Sequence, residues 1–464
     1  MDQIQGFPRN LSFNLKRLSG SIIKQKIIVS PDKSLYTAND RITFNLPIGR
    51  MLDSRSICLS ARCTTKTAGN RFPRGGLHSL IENLQISANS RIIQSTQNYN
   101  YIWNILADCS GYYSAEQQSK RIYENWDPSL AHTNVQGEGT PVLSLTTNIN
   151  TGTDSYYFSA NSFLGFFSSS AAVWDTNNFG QIQAIFTLAP QSCLWLGANG
   201  TATATNGNYE VDNVELSMDT ITFTNSLYYE LIKSKLEEDG LNIAYNDYLV
   251  SVGTKQAKST TGITHIAQFS TNSLDSVMAT FRHVNYNTAE RLLLGSTSTA
   301  NTASSKSYGG ILADLTTSAS TGNNGLFNNS RFYQRCGSGV DSSSWMINSQ
   351  PFTFNSKPVQ IYHNLLCCLD FANLDIASGG FHQGAGLSSG FYNSHYFVDA
   401  LSLENNSGDN QNWVSGLGGN GGIISVQYNA RFLSSVTDEI YPVIIGKVTK
   451  IMNVKIGRNI DIME

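Results

Sequence analysis

The sequence predicts an all-β protein of two domains with short helical insertions. Its 464 residues exceed what one hydrophobic core ordinarily holds, and two cores of about 200 residues each match the usual domain size. Charged residues make up 14% of the chain, below the roughly 25% of typical soluble domains, so uncharged polar residues supply most of the polarity. Short period-two apolar patterns recur along both halves between long polar segments, which is typical of β-proteins with extended loops.

The middle of the chain, at 214–248, contains a strand, a helix and the start of a second strand system. Val214, Leu216 and Met218 alternate with polar residues, as in a strand with one buried face. Ile221 continues the alternation in the opposite phase, so we expect a bulge near residues 219–220.

A short amphipathic helix follows this strand and forms the predicted junction between the two halves, at 225–240. Leu227 and Leu231 begin an apolar stripe with four-residue spacing, and Gly240 supplies a left-handed stop. The other face carries Glu and Lys, so the apolar stripe is expected to lie on a folded sheet.

The first half is predicted as strands with one helical face. A hairpin with a three-residue loop at 88–90 leads into this helical face, which carries Ile102, Ile105 and Leu106. The main strand segments are 27–29, 42–46, 57–63, 80–86, 91–93, 181–188 and 193–196.

The second half repeats the scheme with Ser/Thr/Gly-rich loops between strands. The predicted strands are 265–269, 277–281, 359–369, 396–403 and 424–432. Further short apolar runs follow residue 440, in a segment that we set apart as a tail. Two β-rich halves with long polar loops suggest two sandwiches or jelly rolls.

Composition also restricts location and redox state. No apolar run approaches the 18 residues of a membrane helix, and residues 1–20 lack the apolar centre of a secretory signal, so we expect a soluble intracellular protein. The seven cysteines lack paired C-x-x-C spacing and are interpreted as buried thiols.

The N-terminal arm, residues 1–26, is basic, with five Lys and Arg against the single acid Asp2. A solvated terminus is one interpretation. The functional alternative is an arm that lies under a shell, against nucleic acid or an anionic membrane, with Arg9, Lys16 and Arg17 facing the interior.

Catalytic and metal-binding patterns are weak. A G-x-S-x-G string at 386–390 and a G-x-G-x-x-G string at 416–421 both lie in loops, without the strand and helix that each motif requires. No two of the seven histidines share the i, i+4 spacing of a helical metal site, and four N-x-S/T strings are expected by chance in an Asn- and Ser-rich chain. We therefore predict no enzyme activity, no cofactor and no metal.

Four segments, taken in order, resemble a known family. They are IENLQISANSRIIQSTQNYNYIWNILAD at 81–108, VDNVELSMDTITFTNSLYYELIKSKLEEDG at 211–240, SLDSVMATFRHVNYN at 273–287 and FVDALSLENNSGDNQNWVSGLGGNGGIISVQYNARF at 397–432. This layout is similar to the double-jelly-roll major capsid proteins of the tectivirus and adenovirus lineage, especially those of virophages and of polinton-like or adintovirus-like elements.

The resemblance implies two eight-stranded jelly-roll barrels standing side by side. Three copies would form a pseudo-hexagonal capsomer that tiles the icosahedral shell of a DNA virus assembled inside the host cell. Implied partners are other copies of the chain, neighbouring capsomers, penton and minor capsid proteins, and an internal membrane or genome under the arm. The loops at 144–159, 296–345 and 404–422 would form an outer tower or trimer contacts. The predicted divisions are 1–26 for the arm, 27–224 for the first barrel, 225–240 for the helix, 241–435 for the second barrel and 436–464 for the tail.

Two other functions remain open at this point. The first is a jelly-roll spike or lectin-like protein, in which Trp345, Tyr392 and Trp413 would stack on sugars. The second is a glycoside hydrolase, which would need two facing carboxylates that the sequence does not identify.

Overall fold

The structure is a computed structural model of the chain. The residues that it describes are 22–66, 70–73, 75–109, 155–171, 173–197, 208–223, 227–238, 240–257, 261–284, 286, 290–292, 332, 340–368, 397–404, 416–418, 422–432 and 439–463.

Strands dominate both halves of the chain. The first half contains β1 (Ile22–Val29), β2 (Leu35–Thr37), β3 (Arg41–Asn45), β4 (Met51–Thr65), β5 (Asn70–Arg71), β6 (Ile81–Ala88), β7 (Arg91–Gln97), β8 (Ser155–Ala160), β9 (Val173–Asp175), β10 (Ile182–Leu188), β11 (Trp195–Gly197) and β12 (Tyr209–Phe223). The second half contains β13 (Leu241–Val252), β14 (Gly262–Ser270), β15 (Leu274–His283), β16 (Glu290–Leu292), β17 (Val340–Ile347), β18 (Gln350–Pro351), β19 (Asp399–Ser402), β20 (Ile423–Phe432), β21 (Ile440–Lys455) and β22 (Asn459–Met463).

Short helices connect these strands. Within the described residues they are α1 (Gly76–Ser79), α2 (Tyr99–Cys109), α3 (Phe166–Ser169), α4 (Thr176–Phe179), α5 (Leu227–Glu238) and α6 (Pro358–Cys368), together with a 3₁₀ turn (Gln191–Cys193).

The same strand order appears in both halves. The first half forms one sheet in the order β1-β12-β4-β8 and another in the order β3-β10-β6-β7, and the second half forms β13-β21-β15-β19 and β14-β20-β17-β18. In each half these two sheets contain eight strands. When the eight are numbered in chain order, both halves have the order 1-8-3-6 in one sheet and 2-7-4-5 in the other, and all these pairs are antiparallel. Two such sheets facing each other make a jelly roll, so the predicted all-β fold with two eight-stranded barrels is confirmed.

Each barrel encloses a core of inward-facing side chains, and the buried faces predicted for β4 and β20 are confirmed. All of the predicted positions in β4 and β20 are buried: Ile57, Leu59, Ala61, Cys63, Ile424, Val426, Tyr428, Ala430 and Phe432. Cys63 and Cys193 are buried free thiols, and burial raises their pKa above the usual range, whereas Cys58 and Cys368 are half-buried.

The junction helix is confirmed as α5. Gly240 has a φ of +80°, and its N–H donates to the Lys235 carbonyl at 3.1 Å, which ends the helix as expected. The arm predicted at 1–26 overlaps β1, which begins at Ile22, and the end of the second barrel is corrected below; the other segment boundaries stay a prediction.

The strand predicted at 359–369 is wrong, because this segment is the helix α6. Ile361 and Leu365 are buried at four-residue spacing, whereas Val359 is exposed. Pro358 occupies the first helical position, and the Lys357 N–H donates to Gln360 Oε1 at 2.8 Å in a cap. A mainly apolar run of this length does not distinguish a strand from a buried helix.

Two local details of the first barrel also differ. Within β12 the bulge lies at Asn213, which has a φ of +48°, and beyond it Thr220 stays on the buried face while Ile221 does not. The register irregularity near residue 219 belongs to the partner strand β4. The β6–β7 loop is a two-residue turn at Asn89 and Ser90, both with positive φ.

The segment set apart as a tail is integral to the second barrel. β21 pairs with β13 on one side and with β15 on the other, so it lies in the middle of its sheet. β22 then pairs back onto the end of β21. The predicted end of the second barrel at residue 435 is therefore wrong, because it leaves the eighth strand outside the barrel.

Candidate functional site at the barrel junction

The apolar part of the junction comes from strands that extend past their own barrel. Val443 and Ile445 of β21 pack in the second core, whereas Met452 and Val454 of the same strand pack in the first core. On the neighbouring β13, the Tyr245 ring lies edge-on to Phe166 at 5.2 Å, and its hydroxyl donates to the Ile93 carbonyl at 2.8 Å. The paired ends of β13 and β21 therefore cover β7 and α3 of the first barrel.

Helix α2 belongs to both cores. Tyr99 and Trp103 pack in the first core, whereas Tyr101, Ile102 and Ile105 pack in the second. A helix that is apolar on opposite faces is stable only when it is buried on both. This shared helix holds the two barrels in one arrangement.

A chain of buried polar side chains crosses the same interface. Gln94 Oε1 accepts from the Phe166 N–H at 2.7 Å, and Gln94 Nε2 donates to Thr96 Oγ1 at 2.7 Å. Thr96 Oγ1 donates to Asp247 Oδ1 at 3.0 Å, which connects β7 to β13. Lys450 Nζ of β21 completes the chain at 3.2 Å from Asp247 Oδ2.

Asp247 and Lys450 form a buried ion pair, with side-chain exposures of 2% and 9%. Burial raises the pKa of Asp247 above its ordinary value, and the Lys450 charge opposes this shift. Because both charges have lost most of their water, each depends on the other for compensation.

Arg282 of β15 links the second barrel to the start of α2. Its guanidinium carbon lies 3.7 Å from the ring centroid of Tyr286, 4.6 Å from that of Phe332 and 4.7 Å from that of Tyr101. Nη1 donates to Asn98 Oδ1 at 3.1 Å. A planar cation stacked on several rings is typical of arginine and not of lysine.

The β21–β22 turn adds a peripheral contact with the first barrel. Asn89 Nδ2 donates to the Arg458 carbonyl, and Arg458 Nε donates to the Asn177 carbonyl, each at 2.9 Å. Arg91 and Asp461 form an exposed ion pair at 3.0 Å, a type worth about 0–1 kcal/mol. Most of the stability of the junction therefore comes from its buried part.

Gly165 tests how closely the polar chain is packed. Its φ is +83°, and a Cβ there would lie 2.1 Å from Gln94 Nε2. We expect Gly165→Ala to lower the free energy of unfolding by about 2 kcal/mol in chemical denaturation, because it adds backbone strain and displaces Gln94. The control is Gly262→Ala, whose Cβ would lie at an ordinary van der Waals distance of 3.5 Å from the Ala430 carbonyl oxygen. This control is expected to leave the free energy of unfolding unchanged. Equal effects of the two substitutions would contradict the close packing.

A second buried carboxyl lies inside the second barrel. Asp399 accepts hydrogen bonds from the Ser343 hydroxyl and from Trp345 Nε1, and burial raises its pKa to about 6 despite these donors. Because the pKa of Asp399 is higher in the folded protein than in the unfolded chain, its contribution to stability is complete only below the unfolded pKa, near 4. This contribution is lost as the pH rises through the folded pKa of about 6.

We therefore expect Asp399 to make the second barrel less stable at pH 7 than at pH 4 by about 2 kcal/mol. Asp399→Asn cannot ionise, so the difference in unfolding free energy between the wild type and this variant should change by that amount over the interval. Urea unfolding at several pH values measures it, and a pH-independent difference would contradict the assignment.

The described residues give little support to the alternative functions. Trp345, a predicted sugar-stacking residue, is buried in β17 with its ring 4.6 Å from Tyr428, so that prediction is wrong. The loop boundaries also need correction, since 155–159 belongs to β8 and 340–345 to β17.

Several predicted features lie outside the described residues. These are Arg9, Lys16, Arg17, Tyr392, Trp413, the string at 386–390, residues 419–421 of the glycine string, and the four glycosylation strings. Across the part of the chain that is described, no group of three or more His, Cys, Asp and Glu side chains is placed to hold a metal ion. Every helix described there is too short or too polar to span a membrane.

Known structures share this fold. No model of a protein family matches the sequence, and no curated protein matches it. The structure of PBCV-1 VP54 fitted into a reconstruction of the virophage Sputnik has a TM-score of 0.57 at 11% identity, covering 96% of this chain and 97% of that one. A quasi-atomic model of the PBCV-1 virus capsid gives 0.55 at 11% identity, covering 95% and 96%, and the Faustovirus major capsid protein gives 0.54 at 9% identity, covering 94% and 91%.

These similarities extend over nearly the full length of each chain. The protein therefore has the double-jelly-roll fold of viral major capsid proteins, and the resemblance stated from the sequence is confirmed at the level of the fold.

Proposed function

We propose that this chain is the major capsid protein of a DNA virus and that three copies form a pseudo-hexagonal capsomer of an icosahedral shell. The observation that carries the proposal is the pair of barrels with one strand order, held together by a shared buried junction. The similarity in fold to the PBCV-1 and Faustovirus capsid proteins supports it.

The physical basis is the repetition of one contact. A head-to-tail contact between copies closes into a ring when its rotation divides a full turn. If each chain presents two equivalent barrels, three chains present six, and such a hexagonal block tiles a surface. The role of the chain is then assembly and not chemistry. Its partners are other copies of the chain and, in the virion, penton and minor capsid proteins.

The proposal also places the N-terminal arm, residues 1–26, in the particle interior. Arg9, Lys16 and Arg17 would lie against an internal membrane or the genome, although a net charge of −3 argues against genome condensation by this chain alone. Protease treatment of intact particles should leave the arm uncut. Ready cleavage at the arm, with the rest of the chain protected, would contradict this placement.

Light scattering after gel filtration tests the oligomeric state. The capsomer predicts a mass of about 150 kDa, three times the 50.8 kDa of one chain. A folded chain that stays monomeric across salt and pH conditions would contradict the proposal.

A further inference from the structure

The core of the first barrel is completed by residues that follow most of the second barrel in sequence. We define the closing strap as residues 451–463, which contain the end of β21 and the whole of β22. Met452 and Val454 are fully buried and Ile460 is 3% exposed, and all three pack in the first core. The first core is therefore incomplete until the closing strap has been placed.

The closing strap also holds the strand that covers β7 and α3. Among the described residues, β13 pairs with β21 and with no other strand. Leu241 and Ile243, at the start of β13, pair with residues of the closing strap. Beyond them, the Asn246 N–H donates to Ser169 Oγ of α3 at 2.8 Å. Without the closing strap, the start of β13 would lose its strand partner, and β7 and α3 would lose their cover.

The outer fastening of the closing strap is weak. The pairing of β21 with β15 ends at Val448, and β22 pairs only with β21 among the described residues. Arg91 Nη1 donates to the Ile460 carbonyl at 2.6 Å and lies 3.0 Å from Asp461 Oδ1, with both charged side chains exposed. Exposed ion pairs contribute little to stability. The closing strap is therefore held on the first barrel mainly by its three buried side chains.

The position of the closing strap in the chain makes its contacts late ones. Asn89, in the β6–β7 turn, and Arg458 of the closing strap are 369 positions apart, whereas β6 and β7 pair through a two-residue turn. Contacts between residues far apart in sequence cost more loop-closure entropy than local contacts and form more slowly. The local parts of the first barrel are thus expected to form before the closing strap docks.

We propose that the closing strap docks in the last step of folding and that the first barrel stays open at β7 and α3 until it does. Folding of the first barrel is then completed only after residue 460 has been made, although its own eight strands end at Phe223. Release of the closing strap reopens the same wall in the folded protein. The inference goes beyond the proposed function, because it concerns how one chain closes and holds whether or not copies assemble.

Pulse-labelled hydrogen exchange during refolding of the full chain from urea tests the order of these events. The amides of β7 and α3 are expected to become protected together with those of β22, and after those of β14 and β20, which have no contact with the closing strap in their sheet. Protection of β7 and α3 before β22, or in the same phase as β14 and β20, would overturn the inference.

A matched pair of valines on β21 tests the closing strap in the folded chain. Val454 is 0% exposed in the first core, and Val443 is 1% exposed in the second core. Val454→Ala is expected to accelerate native-state exchange of the β7 and α3 amides on the order of 10-fold and to leave β14 and β20 unchanged, because the cavity weakens only the closing strap. Val443→Ala should accelerate exchange in β14 and β20 and leave β7 and α3 unchanged. Equal acceleration in both barrels by either variant would contradict separate opening of the first barrel and overturn the inference.

Discussion

Replacement of Lys450 by methionine is expected to lower the free energy of unfolding by about 3–5 kcal/mol. The methylene part of the side chain is retained, but Asp247 is left as a buried charge without its cation. Urea denaturation monitored by far-UV circular dichroism measures the loss. The loss should shrink as the pH falls and Asp247 takes up a proton, because a raised pKa favours the folded state at low pH.

The control for this prediction removes both charges. Lys450→Met combined with Asp247→Asn keeps an oxygen that accepts from Thr96 and from the Tyr248 N–H, so most of the lost stability should return. A buried pair replaced as a unit typically costs far less than the loss of one member. A single variant as stable as the double variant would show that the ion pair contributes nothing to the junction.

Replacement of Arg282 by alanine is expected to cost about 4 kcal/mol, because it removes desolvated cation–π contacts of about 2 kcal/mol and charged hydrogen bonds of about 1.5–3 kcal/mol. The guanidinium contacts the rings of Tyr101, Tyr286 and Phe332. Burial raises the pKa of Glu82, and the positive charge of Arg282 opposes this rise. The docking of β15 against α2 should loosen, which hydrogen exchange at the α2 amides would detect.

Two further variants calibrate this result. Arg282→Lys keeps the charge but not the planar stack, so it should give an intermediate loss. Arg41→Ala, at an exposed position of β3, should change stability by less than about 0.5 kcal/mol. An Arg282→Ala variant within that same range would refute the role of Arg282 at the junction.

The sequence predicted well those elements whose pattern is local. The face of β20 alternates strictly over ten residues, and α5 has both a periodic stripe and a glycine stop, so each is determined by its own residues. The order of such elements was enough to indicate two barrels. In contrast, α6 was predicted as a strand because its mainly apolar run of eleven residues does not reveal which side is buried.

The buried polar contacts of the junction were not predicted, for a different physical reason. Asp247 lies 151 positions from Thr96 and Lys450 lies further along the chain, so only the tertiary fold brings them together. The available signal was a charged residue within a strand, as at Asp247, the only charged residue of β13, and an exposed charge on a strand gives the same pattern. Arg282 in β15 was hidden for the same reason.

Cryo-electron microscopy of the purified oligomer tests the central claim most directly. We predict a ring of six barrels from three chains, with intrachain and interchain junctions alternating around it. An isolated pair of barrels, or a ring with another number of barrels, would contradict the assignment of this chain as a capsid building block.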